Sequence, residues 1–218
     1  MQIQQELKRR LAAALADLTA NPEQAAALLR PTQDPKFGDY QSNAAMGIAK
    51  KLGKKDLVTV KALQLAVSNG TEAQHSSWDG SYFMTTRQAA KRAYQEAGIK
   101  NPRDEVSMFE CHDCFSITEL VTAEDLFISN EGEAWKDFLD GFYDSDGKVP
   151  AQIDGGLKCF GHPIGASGPR MLYEMYLQLH GRAGARQLSN PSIGMTHNLG
   201  GAPHQNVSSI AIVGLYNG

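Results

Sequence analysis

The segment GGLKCFGHPIGASG, residues 155–168, constrains the fold of this chain more than any other stretch. In it, His162 stands between Gly161 and Pro163, and the apolar-periodic stretch Ser167–Leu179 follows directly. Glycine lets the backbone approach a substrate closely, and the free N–H groups at a helix start favour negative charge. The segment therefore predicts a loop that presents a histidine just before a helix. Such a histidine activates a nucleophile or donates to an oxyanion, and a glycine-rich turn with a purely structural histidine is the alternative.

A second histidine lies in Cys111-His112-Asp113-Cys114, at the end of a predicted buried strand, Val106–Glu110. Polar residues at the C-terminal end of a strand are typical of sites in α/β folds, so His112 is the candidate here. A buried structural histidine is the alternative. The C-x-x-C spacing also suits a redox pair or half a zinc site. Because the chain holds no second C-x-x-C and only three cysteines, we expect no metal site.

A third histidine, His197, lies beside the paired glycines Gly200 and Gly201. His197 and His204 are separated by a spacing that matches no common metal motif. The chain contains no G-x-S-x-G elbow, Walker loop, dinucleotide fingerprint or H-E-x-x-H sequence. The reaction classes that depend on those motifs therefore lose their main support.

Around these loops, helical and strand patterns alternate, which predicts an α/β layered sheet. Thr85 and Gln88 are spaced as a capping box at the start of a helix that ends at Gly98. Val207–Leu215 reads as an apolar closing strand, whereas the periodicity of residues 58–68 suits a helix or a strand equally.

The 218 residues are 42% hydrophobic and 21% charged, as in ordinary globular proteins. They contain no run of about 18 apolar residues and no apolar stretch near the N-terminus, so we expect no membrane span and no secretory signal. With three cysteines, a cytoplasmic location follows as an expectation. Charge is uneven: residues 1–55 carry nine Lys/Arg and five Asp/Glu, whereas residues 56–218 carry twelve and nineteen. This change predicts two domains with those bounds, 1–55 and 56–218.

From about Leu57 to Gly218 the sequence resembles the C-terminal half of a thiolase. The resemblance rests on TVKALQLAVSNG, WDGSYFMTTRQAAKRAYQEAGI, HDCFSITE, GGLKCFGHPIGASG and THNLGG. HDCF together with HNLGG is similar to the sterol-carrier-protein-type and archaeal acetyl-CoA acetyltransferase branch. The resemblance implies a thiolase-like layered α/β fold preceded by a small helical segment, and an acyltransferase of lipid metabolism that makes or breaks carbon–carbon bonds in acyl-CoA thioesters.

The resemblance also implies the site. His162 would be the base for a nucleophilic cysteine and would help to bind the thioester oxygen. His112 would polarise the thioester carbonyl, and His197 would be the second acid/base. Glycines of the same motifs would shape the substrate-binding backbone: Gly161, Gly165, Gly200 and Gly201. A CoA thioester would be the substrate, with no cofactor bound.

One feature of thiolases is missing from these residues, namely the motif of the acylated cysteine, which belongs to the N-terminal half of that family. None of Cys111, Cys114 and Cys159 matches it. We therefore expect this chain to be inactive alone, to expose an apolar face that would meet a twin half, and to associate with a thiolase N-terminal half or with further copies of itself.

Residues 1–54 resemble instead the N-terminus of an arginyl-tRNA synthetase, through KFGDYQSNAAMGIAKKLGK. No HIGH-type or KMSKS-type sequence follows, so synthetase chemistry is not expected. A tRNA-contacting module is the second functional reading, and a truncated or fused product without independent function is the third.

Overall fold

The computed structural model describes eight stretches of the chain, and the predicted domain boundary between residues 55 and 56 lies outside them. The chain divides into two compact units, residues 1–57 and residues 58–217. The described stretches are residues 2–16, 21–27, 29–31, 40–42, 58–68, 70, 80–202 and 205–215.

The first unit contains two helices and a two-stranded antiparallel sheet. On the first helix, the carboxylate of Glu6 accepts hydrogen bonds of 2.8 Å from Arg9 and Arg10, and such pairs modestly stabilise an isolated helix. The apolar periodicity of Ser42–Leu52 predicts a further helix, and of these residues only Ser42 is described, as the last residue of a strand. The elements are α1 (Gln2–Leu15), α2 (Pro22–Ala26), β1 (Leu29–Pro31) and β2 (Tyr40–Ser42).

The second unit is a four-stranded mixed sheet with helices on both faces, which confirms the predicted α/β class. None of the described helices is long and apolar enough to cross a bilayer. The elements are β3 (Val58–Val67), α3 (Met84–Ala97), α4 (Pro102–Glu105), β4 (Met108–Glu110), α5 (Ser116–Asp125), α6 (Ala134–Leu139), α7 (Gly156–Phe160), α8 (Ser167–Leu179), a short 3₁₀ helix (Gly184–Arg186), β5 (Ile193–Ala202) and β6 (Gln205–Leu215).

The strand order is β3-β6-β5-β4, and only the β4–β5 pair is parallel. Residues 58–68, which the sequence left undecided, form a strand because β3 pairs antiparallel with β6 along its length. In the parallel pair, Glu110 lies opposite Thr196. This register brings the loop that follows β4 close to His197, the next residue of β5.

Helix α3 packs on one face of the sheet and α8 on the other. Successive strand residues point to opposite faces, so Ile212 joins the core under α3 while Val213 joins the core under α8. Small residues such as Ala62 and Ala89 let α3 approach the sheet closely. The two cores hold the ends of β4 and β5 in place, and the candidate site lies at those ends.

The start of α3 differs from the sequence expectation. The helix begins at Met84, one residue before the predicted capping threonine, and the preceding Phe83 makes no side-chain cap. Instead, the Phe83 N–H donates a 2.6 Å hydrogen bond to Asp125, and Thr85 donates to Asn206 of β6. The capping box was therefore wrong, because tertiary partners satisfy these groups. The predicted stop at Gly98 is confirmed, with φ +75°.

The edge strand β3 exposes alternate apolar side chains. Leu63, Leu65 and Val67 are 57–67% exposed, whereas Ala62 and Ala66, at alternate positions of the same strand, are buried in the core. An uncovered row of large apolar residues is typical of a surface that meets another protein.

Candidate active site

Two of the three predicted histidines lie in contact. The ring centroids of His112 and His162 are 4.7 Å apart, with the ring planes at 78°. His112 follows the last residue of β4 by two positions, and His162 follows the last residue of α7 by two positions. The fold therefore joins the two sequence motifs into one site at the carboxyl end of β4.

Backbone hydrogen bonds to carboxylates hold the two loops together. The Leu157 N–H at the start of α7 donates a 2.8 Å bond to Asp113, the neighbour of His112. The Gly156 N–H donates a 2.9 Å bond to Asp154. Asp113 is thus a site residue that sequence reasoning missed, although its position inside the HDC motif was a usable signal.

Gly156 is expected to tolerate no side chain. Its φ is +64°, and an added Cβ would lie 2.5 Å from Oδ2 of Asp113. We expect Gly156→Ala to lower the free energy of unfolding by about 1–3 kcal/mol, measured by urea titration. Gly132→Ala is the control, because Gly132 has a similar φ of +75° with open space around it. Equal losses in both variants would contradict the predicted clash with Asp113.

His162 is exposed, and its Nδ1 lies 2.7 Å from the hydroxyl of Ser167, the first residue of α8. This hydrogen bond orients the ring and leaves Nε2 as the nitrogen available to an outside partner. A histidine oriented through one nitrogen acts as acid or base through the other. The hydroxyl of Ser167 was not predicted, although it lies within the quoted glycine-rich segment.

His112 is partly buried, and its surroundings favour the neutral ring. Burial lowers the pKa of His112, and the neighbouring His162 lowers it further. A neutral imidazole donates from one nitrogen and accepts at the other. His112 can therefore donate a hydrogen bond toward a developing oxyanion without carrying a charge.

His197 lies beneath the pair, not on the surface. Its side chain is fully buried on β5, and its Nε2 lies 3.0 Å from the hydroxyl of Thr86 on α3. That hydroxyl in turn donates to Ser208 of β6 at 3.2 Å. Nothing in the sequence spacing pointed to Thr86 or Ser208, since both come from other elements. The acid/base role of His197 stays a prediction.

Burial, together with a smaller contribution from His112, lowers the pKa of His197 to about 3. We expect the His197 ring to show no titration above about pH 5 in histidine-selective NMR of the folded chain. In the unfolded chain the same ring should titrate near its ordinary value. A midpoint near neutrality in the folded state would contradict the burial seen here.

The histidine pair faces two adjoining cavities of about 470 and 430 Å³. Both cavities are lined by His112, His162 and Gly200. Of the other predicted glycines, Gly201 lines the larger cavity and Gly165 the smaller one, while Gly161 is the residue that precedes His162. Further lining comes mainly from apolar side chains: Phe83, Phe115, Ile164, Leu199, Leu65 and Val207.

The three cysteines are free and differ in environment. Cys111 is fully buried, and burial raises the pKa of its thiol well above the usual range, which makes it a poor nucleophile. Cys114 is exposed and lines the larger cavity, with its sulfur 3.8 Å from the hydroxyl of Thr118. Cys159 is exposed and lines neither cavity. Cys114 is therefore the thiol that any activity test must remove first.

Comparison with known proteins agrees with both resemblances. Residues 67–212 match the family described as thiolase C-terminal domain-like, and residues 5–70 match the arginyl tRNA synthetase N terminal domain. The acetyl-CoA acetyltransferase of Methanothermobacter thermautotrophicus is 42% identical over 136 residues, covering 62% of this chain and 35% of that relative. Sterol carrier protein 2 of Bos taurus is 32% identical over 163 residues, covering 72% of this chain and 30% of that relative.

A solved structure shows the same fold. The Ltp2-ChsH2(DUF35) aldolase superposes with a TM-score of 0.61 at 18% identity, covering 75% of this chain and 41% of that chain. The chain thus spans about a third of the length of the curated relatives named above. Because the family match extends over residues 67–212, which is most of the second unit, the chain belongs to the thiolase C-terminal domain-like family.

Proposed function

We propose that this chain supplies the C-terminal half of a thiolase-type acyltransferase site, which acts on acyl-CoA thioesters in Claisen condensation or thiolysis. The observation that carries the proposal is the contact of His112 with His162 at a cavity lined by Gly200 and Gly201. The cavity is mostly apolar with a few convergent polar groups, as expected for an acyl chain with a reactive carbonyl. A CoA thioester is then the substrate and leaves as product.

In thiolysis, a cysteine thiol loses its proton to His162, and the thiolate attacks the 3-keto carbonyl of the substrate. The bond between the α and β carbons breaks, and its electron pair forms the enolate of acetyl-CoA. The enolate takes up a proton and leaves as acetyl-CoA. Free CoA gives its thiol proton to the second acid/base, and its sulfur attacks the acyl-cysteine to form the shortened acyl-CoA. The cysteine thiolate that leaves takes back its proton from His162. Condensation is the reverse.

The residues have distinct tasks in this scheme. His162, oriented by Ser167, accepts the proton of the cysteine and donates toward the thioester oxygen. The neutral ring of His112 stabilises oxygen atoms that become negative. His197 is proposed as the second acid/base. Because its ring is fully buried, that role requires the site to open toward β5 when substrate binds.

The nucleophilic cysteine is proposed to come from a thiolase N-terminal half outside these 218 residues. The buried thiol of Cys111 is unsuited to attack, and the motif of the acylated cysteine is absent from the sequence. The exposed apolar row Leu63, Leu65 and Val67 gives such a half, or a further copy of the chain, a surface to pack on. We further propose a cytoplasmic location.

Complementation tests the proposal. The full chain is mixed with the N-terminal part of the Methanothermobacter thermautotrophicus acetyl-CoA acetyltransferase, and thiolysis of a 3-ketoacyl-CoA by CoA is measured. We expect turnover from the mixture and none from either component alone. Turnover by the chain alone that survives Cys111→Ser, Cys114→Ser and Cys159→Ser together would contradict the proposed origin of the nucleophile. A mixture that forms a complex without turnover would contradict the acyltransferase function.

A second candidate, a tRNA-contacting module, is favoured by the match of residues 5–70. It predicts tRNA binding whose affinity falls steeply with salt, because phosphate contacts release counterions. The test is filter binding of tRNA to the full chain and to a chain that lacks residues 1–54. Equal binding by both forms would dismiss this candidate, and absence of both tRNA binding and complemented turnover would favour a product without independent function.

A further inference from the structure

A charged cluster centred on Arg170 of α8 lies next to the segments that precede the two histidines. The guanidinium nitrogens of Arg170 are buried and make no hydrogen bond to the described residues, so ion pairing is what balances its charge. Arg170 makes an ion pair with Asp154, and its Nη2 lies 3.7 Å from Oε2 of Glu110. Its Cζ lies 5.1 Å from the centre of the Phe160 ring, which is the geometry of a cation–π contact.

Each of these contacts reaches a different segment of the site. Glu110 is the last residue of β4 and precedes His112 by two positions. Asp154 accepts the N–H of Gly156, the first residue of α7, and Phe160 ends the same helix. The side chain of Arg170 thus contacts the last residue of the strand that precedes His112. It also contacts both ends of the short helix that precedes His162, the start through Asp154 and the end through Phe160.

The position of Arg170 on α8 also connects it to His162. Arg170 lies in the first turn of α8, three residues after Ser167, whose hydroxyl bonds to the ring of His162. We propose that Arg170 is a positioning residue that holds His112 and His162 in contact. The inference rests on the proposed function because it concerns the two histidines that are proposed to perform the reaction.

The charges around the cluster explain why an arginine is suited to this place. Glu110 is fully buried on β4, Asp154 is buried before α7, and Glu174 is buried one turn further along α8. Asp113 and Arg186 are the other charged groups near Glu110. A planar guanidinium can face the Asp154 carboxylate, the Glu110 carboxyl group and an aromatic ring at once, which a lysine ammonium cannot do. Removing the arginine would leave Asp154 as an uncompensated buried charge.

The test is NMR of the imidazole C–H groups in the full chain, with the cross-peak between the two rings and the titration of His112 as readouts. In Arg170→Met, a loosening of about 0.5 Å would weaken the cross-peak about twofold. The titration midpoint of His112 should also move toward its ordinary value as the contact loosens. Arg170→Lys should restore part of both signals.

Arg186→Met is the matched control. Arg186 of the 3₁₀ helix pairs with Glu174 of α8 at 2.9 Å, and among the described residues it makes no hydrogen bond or ion pair with a segment that carries a histidine of the pair. We expect it to lower stability and leave the rings in contact. A folded Arg170→Met variant with wild-type ring signals would overturn the proposal, and so would an equal loss of contact in Arg186→Met.

If Arg170→Met does not fold, Asp154→Asn is the deciding variant, since it keeps the arginine with its contacts to Glu110 and Phe160 and removes only the ion pair at the start of α7. A change confined to the His162 signals supports the proposal, and unchanged His162 signals overturn it. The spectra require no turnover. If the complemented enzyme shows no activity, the proposed function is refuted. The contact between the two rings in the spectra still tests the positioning role of Arg170.

Discussion

Replacing His162 with alanine is expected to lower the thiolysis rate of the complemented enzyme by about 10³-fold. In the proposed mechanism the ring accepts the proton of the attacking cysteine through Nε2, since its Nδ1 is hydrogen-bonded to Ser167, 2.7 Å away. Without the ring, the thiol would have to ionise unaided at neutral pH, and thiolate is the attacking species. The measurement is the steady-state rate constant kcat for thiolysis at saturating CoA, together with its pH profile.

His180→Ala is the control for this substitution. His180 is the C-terminal cap of α8, at the opposite end of the helix from Ser167, and its ring packs on Tyr176. We expect it to keep the wild-type rate. If His162→Ala retains more than about a tenth of the wild-type kcat, general base catalysis by this residue is refuted.

Replacing Glu110 with glutamine is expected to remove much of the pH dependence of stability. Burial raises the pKa of Glu110 from 4.5 to about 8, and Arg170 lowers it only in part. Between these values the folded chain holds a proton that the unfolded chain has released, so the free energy of unfolding falls as pH rises across this window. The full loss is at most roughly 5 kcal/mol, because one pKa unit corresponds to about 1.4 kcal/mol.

The measurement is the free energy of unfolding from urea titrations between pH 5 and about pH 9. At the acidic end, wild type and Glu110→Gln should be similarly stable, because a protonated carboxyl and an amide have the same shape. At the alkaline end the variant should be the more stable of the two. Glu96→Gln, which removes an exposed carboxyl, is the control. A constant difference between Glu110→Gln and wild type at every pH would show that Glu110 does not titrate in this window.

Local patterns in the sequence were sufficient for several elements. Helix α8 spans Ser167–Leu179 as predicted, and α3 ends at Gly98 as predicted. Helix periodicity and a glycine in the left-handed region act over a few neighbouring residues, so they can be read without knowing the fold. The motifs around His112 and His162 were likewise recognisable as candidate sites, and the family they indicated is confirmed.

Other features depended on residues far apart in the chain. Residues 58–68 contribute a strand because they pair with β6. Thr85 donates a hydrogen bond to Asn206 instead of capping α3. The contact of His112 with His162 arises because two loops meet at the end of β4. The sequence shows which side chains can ionise, hydrogen-bond or terminate a helix. The tertiary structure decides which of them are buried, as His197 and Glu110 are, and burial sets their charge because an ion loses its hydration when it leaves water.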